Sequence, residues 1–268
     1  MTPSLDRRSL LRHAEEAVAS AESLLRAFEK DGIETSLKAS GEEVTQADRG
    51  LERHISGFLR ERAPGLPLLG EETTQDGSVP ETGWILDPID GTMNFARGAP
   101  YYAIALGLVD IGRPVLGVVS APRLQLRIAA DVDAHPAAEP PATSARSLSR
   151  AIVGVSGTGS RRLPAEAELV NALQAEAHRV RMYGSMCLDV VGVAMGWLDA
   201  CVCVRPKPWD VAAGLAIARG RGFAALGADG GDFTWSSPVL VVAHPELAAE
   251  LVHFAWAVLS AEHRPREL

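Results

Sequence analysis

Residues 82–100, "TGWILDPIDGTMNFARGAP", run an apolar stretch into two aspartates three residues apart and then at once into Gly91-Thr92. Trp84, Ile85 and Leu86 read as a buried strand. Pro88 has no N–H to give a ladder, so Asp87 and Asp90 are expected at the strand's exit rather than inside the sheet. Paired negative charge at the end of a buried strand needs a partner, and the rest of the chain supplies more acid rather than a matching base. Glu71 and Glu72 follow the short apolar run of "LPLLGEET", Asp48 stands in "EVTQADRG", and Asp210 in "KPWDVAAG".

The whole chain limits what such a cluster is for. It has 268 residues, 47% hydrophobic and 22% charged, enough for one large domain or two lobes around a core of Ala, Leu and Val. A formal charge of -8 without Lys/Arg runs argues against nucleic acid as the main partner, since phosphate-backbone binding wants a basic face. Three cysteines, Cys187, Cys201 and Cys203, form no CxxC pair and suit a reducing compartment. The start, "MTPSLDRRSLLRHAEEAV", has charges through its apolar positions, and no later run is long enough to span a bilayer. A cytoplasmic location with no membrane partner is the expectation.

Apolar residues at helical spacing from Leu10 to Phe28 predict a long amphipathic helix capped by Ser4 and stopped by Gly32. A second helix is expected over Ala47 to Arg62. "YYAIALGLVDIGRPVLGVVSAP" reads as a hairpin turning at Asp110-Ile-Gly-Arg113. The Ala/Pro-rich stretch over 133–147 marks a boundary near 148, dividing an N-terminal α+β lobe, 1–148, from a C-terminal α/β lobe, 149–268. Beyond it "AIVGV", "DACVCV" and "VLVVA" are strands, with helices expected near 164–177, 185–197, 209–220 and 245–260.

If the carboxylates converge, mutual repulsion raises their pKa values unless a cation intervenes. An all-oxygen set, with no His or Cys at metal-binding spacing, favours Mg²⁺ over Zn²⁺. Mg²⁺ keeps waters and commonly meets phosphate, and Gly91-Thr92, opening a helical segment, supplies the backbone for an anion. Each acid taken singly also has an ordinary reading: a solvated surface group, a turn in "DPIDGT", or a helix cap at Asp210. Their joint occurrence points to a metal-dependent phosphate site.

"GEET", "WILDPIDGTMNF" and "KPWDVAAG", in this order, resemble the three signature segments of the inositol monophosphatase family of Mg²⁺-dependent, lithium-sensitive phosphatases. The resemblance covers nearly the full length and implies a mixed α/β, layered αβαβα sugar-phosphatase fold, usually dimeric. It implies two or three Mg²⁺ per site. Glu71, Asp87 and the Ile89 carbonyl would hold one; Asp87, Asp90 and Asp210 would hold the second; Glu71 with Glu72 lies beside a third position. It further implies that Asp48 and Thr92 orient the attacking water, that the Gly91 and Thr92 amides bind phosphate, and that Lys38 lies near that phosphate. Ser160, Gly184, Ser185, Met186 and Cys203 fall on the implied substrate side.

Two of these depart from the family pattern. Cys203 stands where a Glu commonly meets a sugar hydroxyl, and Met186 where a small Ala lets the ring approach, so a narrower, more apolar pocket is expected. The reading is a phosphomonoesterase acting on a small polyol, sugar or related phosphate ester. A histidinol or nucleotide phosphatase of the same family is the alternative, and a regulatory partner of the transcription machinery is the alternative of another class. A haloacid-dehalogenase reading, Asp-x-Asp-Gly-Thr, fails on spacing: Asp-x-x-Asp on a regular strand turns the second acid to the other face.

Overall fold

The computed structural model describes residues 6–38, 43–73, 78–134, 140, 145–157 and 164–261. In chain order the first half holds α1 (Arg7–Asp31), β1 (Thr35–Leu37), β2 (Glu43–Thr45), α2 (Gln46–Arg62), β3 (Leu68–Gly70), β4 (Gly83–Asp90), α3 (Thr92–Ala96), β5 (Ala103–Asp110), β6 (Arg113–Ala121) and β7 (Leu126–Asp131). The second half holds β8 (Ile152–Ser156), α4 (Pro164–Glu176), β9 (Arg179–Arg181), α5 (Met186–Ala194), β10 (Ala200–Val204), α6 (Pro208–Arg219), β11 (Ala224–Gly227), β12 (Val239–Ala243) and α7 (Pro245–Ser260). Ser4, the expected cap of the first helix, lies outside the described residues. Asp6 caps α1 instead, its carboxylate accepting from Ser9 N at 3.2 Å.

Two five-stranded sheets, ordered β3-β4-β5-β6-β7 and β11-β12-β10-β8-β9, build the body. One apolar cluster joins α1 and α2 to one face of the first sheet through Ala14, Val18, Leu25, Leu51, Ile55, Leu106 and Val118. Another joins α4 and α7 to the outer face of the second sheet through Leu169, Leu173, Val202, Val241 and Leu251. Between the sheets, α5 and α6 pack against Ala103, Ala105 and Val119 on one side and Cys201, Cys203, Leu240 and Val242 on the other. The layers therefore run helix, sheet, helix, sheet, helix, and the core around the middle layer draws on residues from both sides of 148. No helix among the described residues is long and apolar enough to cross a membrane.

β4 corrects the reading of Pro88. The strand does not stop there: Asp87 pairs with Ala105, and Asp90 pairs with Ala103, with the register shifting between them. Pro88 and Ile89 thus lie opposite Ile104 alone, a β-bulge, where a missing N–H is tolerated. The Ile89 amide that the bulge frees from the ladder donates to Asp87 Oδ1 at 2.9 Å. Because Ala103 and Ala105 share a face, the extra residue brings Asp87 and Asp90 to one side of the sheet, where regular alternation would have separated them.

The β5–β6 hairpin turns where expected, on Ile111 and Gly112, both at positive φ (51° and 70°), the conformation of a two-residue turn matched to strand twist. β9 and β11 are too short, and too poor in β-branched residues, to read as strands from sequence. α6 crosses the first sheet at close range. A Cβ on Gly107 would come within 3.0 Å of Ala213 N, and one on Gly117 would fall well inside 3.0 Å of the Ala213 carbonyl oxygen. Gly117→Ala should therefore push α6 off β6 and cost about 2 kcal/mol or more of stability, as overpacking against backbone does. A urea-unfolding midpoint equal to the parent's would show that this seam does not seat α6.

Candidate active site

α6 begins with Pro208 at its first turn, and the carboxylate of Asp210, in that turn, accepts from Lys207 N at 2.7 Å. That cap aims Asp210 back over the sheet, toward the end of β4. One carboxylate oxygen from each of Asp87, Asp90 and Asp210 lies within 4.8 Å of the others, with the first two buried and the third half-buried.

Each acid is held by backbone or hydroxyl donors. The amides of Met186 (3.2 Å) and Cys187 (2.7 Å) and the Ser185 hydroxyl all donate to Asp90, which thus sits on the N-terminal turn of α5. Burial pushes the Asp90 carboxyl up to about 6, and these donors restrain the rise. Asp87 has no such helix end. Burial raises it well above the usual carboxylate range, and the charges of Glu71, Asp90, Asp210 and Asp48 add to the rise.

Glu71 follows β3, its amide donating to Leu86 O at 3.2 Å, which sets it beside β4. Burial raises its carboxyl to about 7, against the pull of the Lys38 ammonium 2.7 Å away. Lys38 also reaches Glu72 at 2.5 Å, and these two carboxylates hold its pKa up although burial works against the charge. Asp48 is fully buried in the first turn of α2, where the Thr45 amide (2.7 Å) and hydroxyl (2.6 Å) donate to it. The Thr92 hydroxyl lies 3.1 Å from Asp48 Oδ1 and 2.9 Å from the Ile89 carbonyl. Gly91, ahead of α3, has φ 92°, and a Cβ there would meet Tyr101 O at 2.9 Å.

Left to themselves, oxygen donors this close take up protons. A hard divalent cation relieves the repulsion without them, so the donor set fits Mg²⁺. The sequence profile of the inositol monophosphatase family matches residues 6–260. The chain belongs to the inositol monophosphatase family. It is 34% identical over 247 residues to the inositol-1-monophosphatase of Mycobacterium bovis, covering 85% of this chain and 82% of the relative. It is 29% identical over 241 residues to the Nus factor SuhB of Pasteurella multocida, covering 88% and 90%. Among solved structures, the Thermotoga maritima IMPase superposes with a TM-score of 0.82 at 26% identity, covering 96% and 99% of the two chains. This inositol monophosphatase family member is a phosphoric monoester hydrolase, and its aspartate cluster is able to hold the metal on which the family depends.

The predicted residues fall into three groups. Asp87, Asp90 and Asp210 converge, with Glu71, Glu72 and Lys38 on one flank and Asp48 and Thr92 on another. Ser185 and Met186 lie under Asp90, the first through its hydroxyl and the second through its amide, and Gly184 precedes them at φ 81°. Cys203 is fully buried between the sheets and Ser160 lies outside the described residues. Sequence reasoning passed over Glu52, whose Oε2 takes the Glu72 amide at 2.9 Å, although its place four residues after Asp48 on one helix face was a usable signal. It also passed over Asn94, which joins α3 to the segment before α5.

The raised acids fix a sign. Their folded-state pKa values lie above the ordinary carboxylate values near about 4, so the metal-free fold loses stability as pH rises from about 4 through about 6 for Asp90 and about 7 for Glu71. Magnesium competes with those protons. The rise in melting temperature on adding Mg²⁺ should accordingly be larger at about pH 7.5 than at about pH 5. An equal or larger rise at the lower pH would mean that the ion binds elsewhere.

Proposed function

We propose that this chain is a Mg²⁺-dependent phosphomonoesterase that hydrolyses a small polyol, sugar or related phosphate by direct attack of water on phosphorus, with no phosphorylated side chain. The observation that carries the reading is the convergence of Asp87, Asp90 and Asp210 within 4.8 Å beside the hydrogen-bonded pair of buried Asp48 and half-buried Thr92. Glu71, Asp87 and the Ile89 carbonyl would hold one ion, Asp87, Asp90 and Asp210 a second, and Glu72 borders a third position. Bound Mg²⁺ supplies charge neutralisation at the phosphate and acidifies the attacking water.

The chain's own groups do the rest. The Thr92 hydroxyl has one proton and two acceptors in reach, so whichever it serves, its own lone pairs remain open to a water. Asp48, raised above its usual range mainly by burial, is suited to take the proton that this relay delivers. The amides of Gly91 and Thr92 would bind phosphate, at a turn whose positive φ and close approach to Tyr101 O suit glycine. Lys38 adds its ammonium once cations take over Glu71 and Glu72.

A phosphate-release screen over small phosphate esters with Mg²⁺ tests the activity. Asp87→Asn should lower turnover on the order of 10³-fold, the loss of a carboxylate shared between two ions. Hydrolysis in ¹⁸O-water should label the released phosphate, and a stoichiometric aspartyl-phosphate on acid quench would refute direct attack. The similarity to a relative named as a Nus factor favours one second reading, a regulatory role at the transcription machinery. Recovery of transcription proteins on the purified chain, with no ester hydrolysed, would put that reading first. A homodimer and a cytoplasmic location belong to the same proposal, and sedimentation tests the former.

A further inference from the structure

Two residues at the exit of β4 grip the segment that opens α5, one at each of its ends. Asp90 accepts from the Ser185 hydroxyl and from the amides of Met186 and Cys187. Asn94 donates, its Nδ2 lying 2.8 Å from Tyr183 O and 3.3 Å from Gly184 O. The two grips have opposite polarity: oxygens meet the free N–H groups of a helix start, and an N–H group meets the carbonyls just ahead of it. The same Nδ2 lies 2.7 Å from Tyr101 O, so three main-chain oxygens face one side-chain amide, and only its nitrogen end can serve them.

Gly91 lies between the grips and is fitted closely to the same groups. A Cβ there would stand 2.9 Å from Tyr101 O, 3.2 Å from Gly184 O and 3.3 Å from the Ser185 Cβ. Two of these walls are carbonyls that Asn94 holds, and the third belongs to the residue whose hydroxyl serves Asp90. The exit of β4 and the entry of α5 are thus packed backbone to backbone, and the Asn94 amide is a directional bond across that seam.

We propose that Asn94 is a positioning residue for the metal site: by holding the carbonyls of Tyr183 and Gly184 it fixes the entry of α5, and through the Ser185 hydroxyl and the Met186 and Cys187 amides it fixes the Asp90 carboxylate toward Asp87 and Asp210. The proposal rests on the Mg²⁺-dependent reading above and deepens it. Without the Asn94 donor, three carbonyls lose a partner and the turn at Gly184 is free to open toward water. All three donors to Asp90 follow that turn within three residues, so a small shift there lengthens their bonds together. Groups that orient a ligating carboxylate commonly carry about tenfold to a hundredfold of metal affinity. The competing brace is the contact between the Tyr101 and Tyr183 rings, 4.4 Å apart at 34°. It fastens two side chains, whereas placing Ser185 on Asp90 needs the main chain held to within a hydrogen-bond length.

The test titrates Mg²⁺ into the full chain by calorimetry, with no ester present. It compares the parent with Asn94→Ala, Asn94→Asp, Ser185→Ala, Tyr183→Ala and the double variant Asn94→Ala/Ser185→Ala. Either change at 94 should weaken the Mg²⁺ Kd on the order of tenfold, with Asn94→Asp at least as damaging because its new oxygen faces three carbonyls. The double variant should bind about as weakly as the worse of its two single variants, because both changes reach Asp90 by one route. With ester added, the Mg²⁺ concentration for half-maximal rate should rise by the same factor while kcat at saturating Mg²⁺ stays within about threefold, a split that loss of fold stability alone does not produce. A lowered melting temperature with an unchanged Kd in both 94 variants would reduce Asn94 to a structural tie and overturn the proposal. Additive losses in the double variant would overturn the route through Ser185, and a Kd weakened in Tyr183→Ala but not at 94 would give the role to the ring pair. A parent chain that binds no Mg²⁺ would defeat the metal-dependent reading, and this role with it.

Discussion

Three aspartate oxygens within 4.8 Å of one another are a standing repulsion, and the surrounding structure is arranged around it. Each acid has a local donor: the Ile89 amide for Asp87, the head of α5 for Asp90, the Lys207 amide for Asp210. These are dipoles. They orient the carboxylates, while burial keeps Asp87 and Asp90 displaced upward in spite of them. The Lys38 ammonium lies on Glu71 and Glu72, at the flank. A cluster of buried and half-buried oxygens oriented by dipoles is suited to a cation.

Holding the acids from three elements at such range requires that α6 come very close to the first sheet. The "WDVAAG" run meets both needs in one turn and a half of helix. Its Asp supplies chemistry; its small residues supply clearance. Ala213 fits over Gly107 and Gly117, and a Cβ on Gly214 would stand 2.9 Å from a Val190 methyl on α5. A bulkier residue at any of these positions would lift Asp210 away from Asp87 and Asp90, so packing density in the middle layer and ligand geometry are the same constraint.

The carboxylates of the cluster are drawn from strand ends and helix starts. Close by in sequence, Leu37, Met93 and Tyr183 stand exposed one or two positions from Lys38, Thr92 and Ser185, and Asn94 donates to the Tyr183 carbonyl. Met186 shows a division within one residue: its amide donates to Asp90 while its side chain is buried in the core between the sheets.

By itself the sequence determined the kinds of element, the oxygen-only donor set and the family. Helices α2 and α4 to α7, the hairpin at Asp110–Arg113 and three of the second sheet's strands were legible because local periodicity and turn chemistry are properties of contiguous residues. Tertiary structure decided what depends on a partner segment. Read from sequence, the strand breaks at Pro88 with Asp87 and Asp90 at its exit, and alternation on an unbroken regular strand would have separated them. Pairing with β5 continues the strand and inserts a bulge, which no reading of β4 alone contains. Ser185 looked like a substrate contact and is bonded to Asp90, 95 positions away. Cys203 looked like part of the pocket wall and is closed into the core between sheets. In each case the side chain's environment comes from a strand or helix remote in the chain, and only packing brings that element into place.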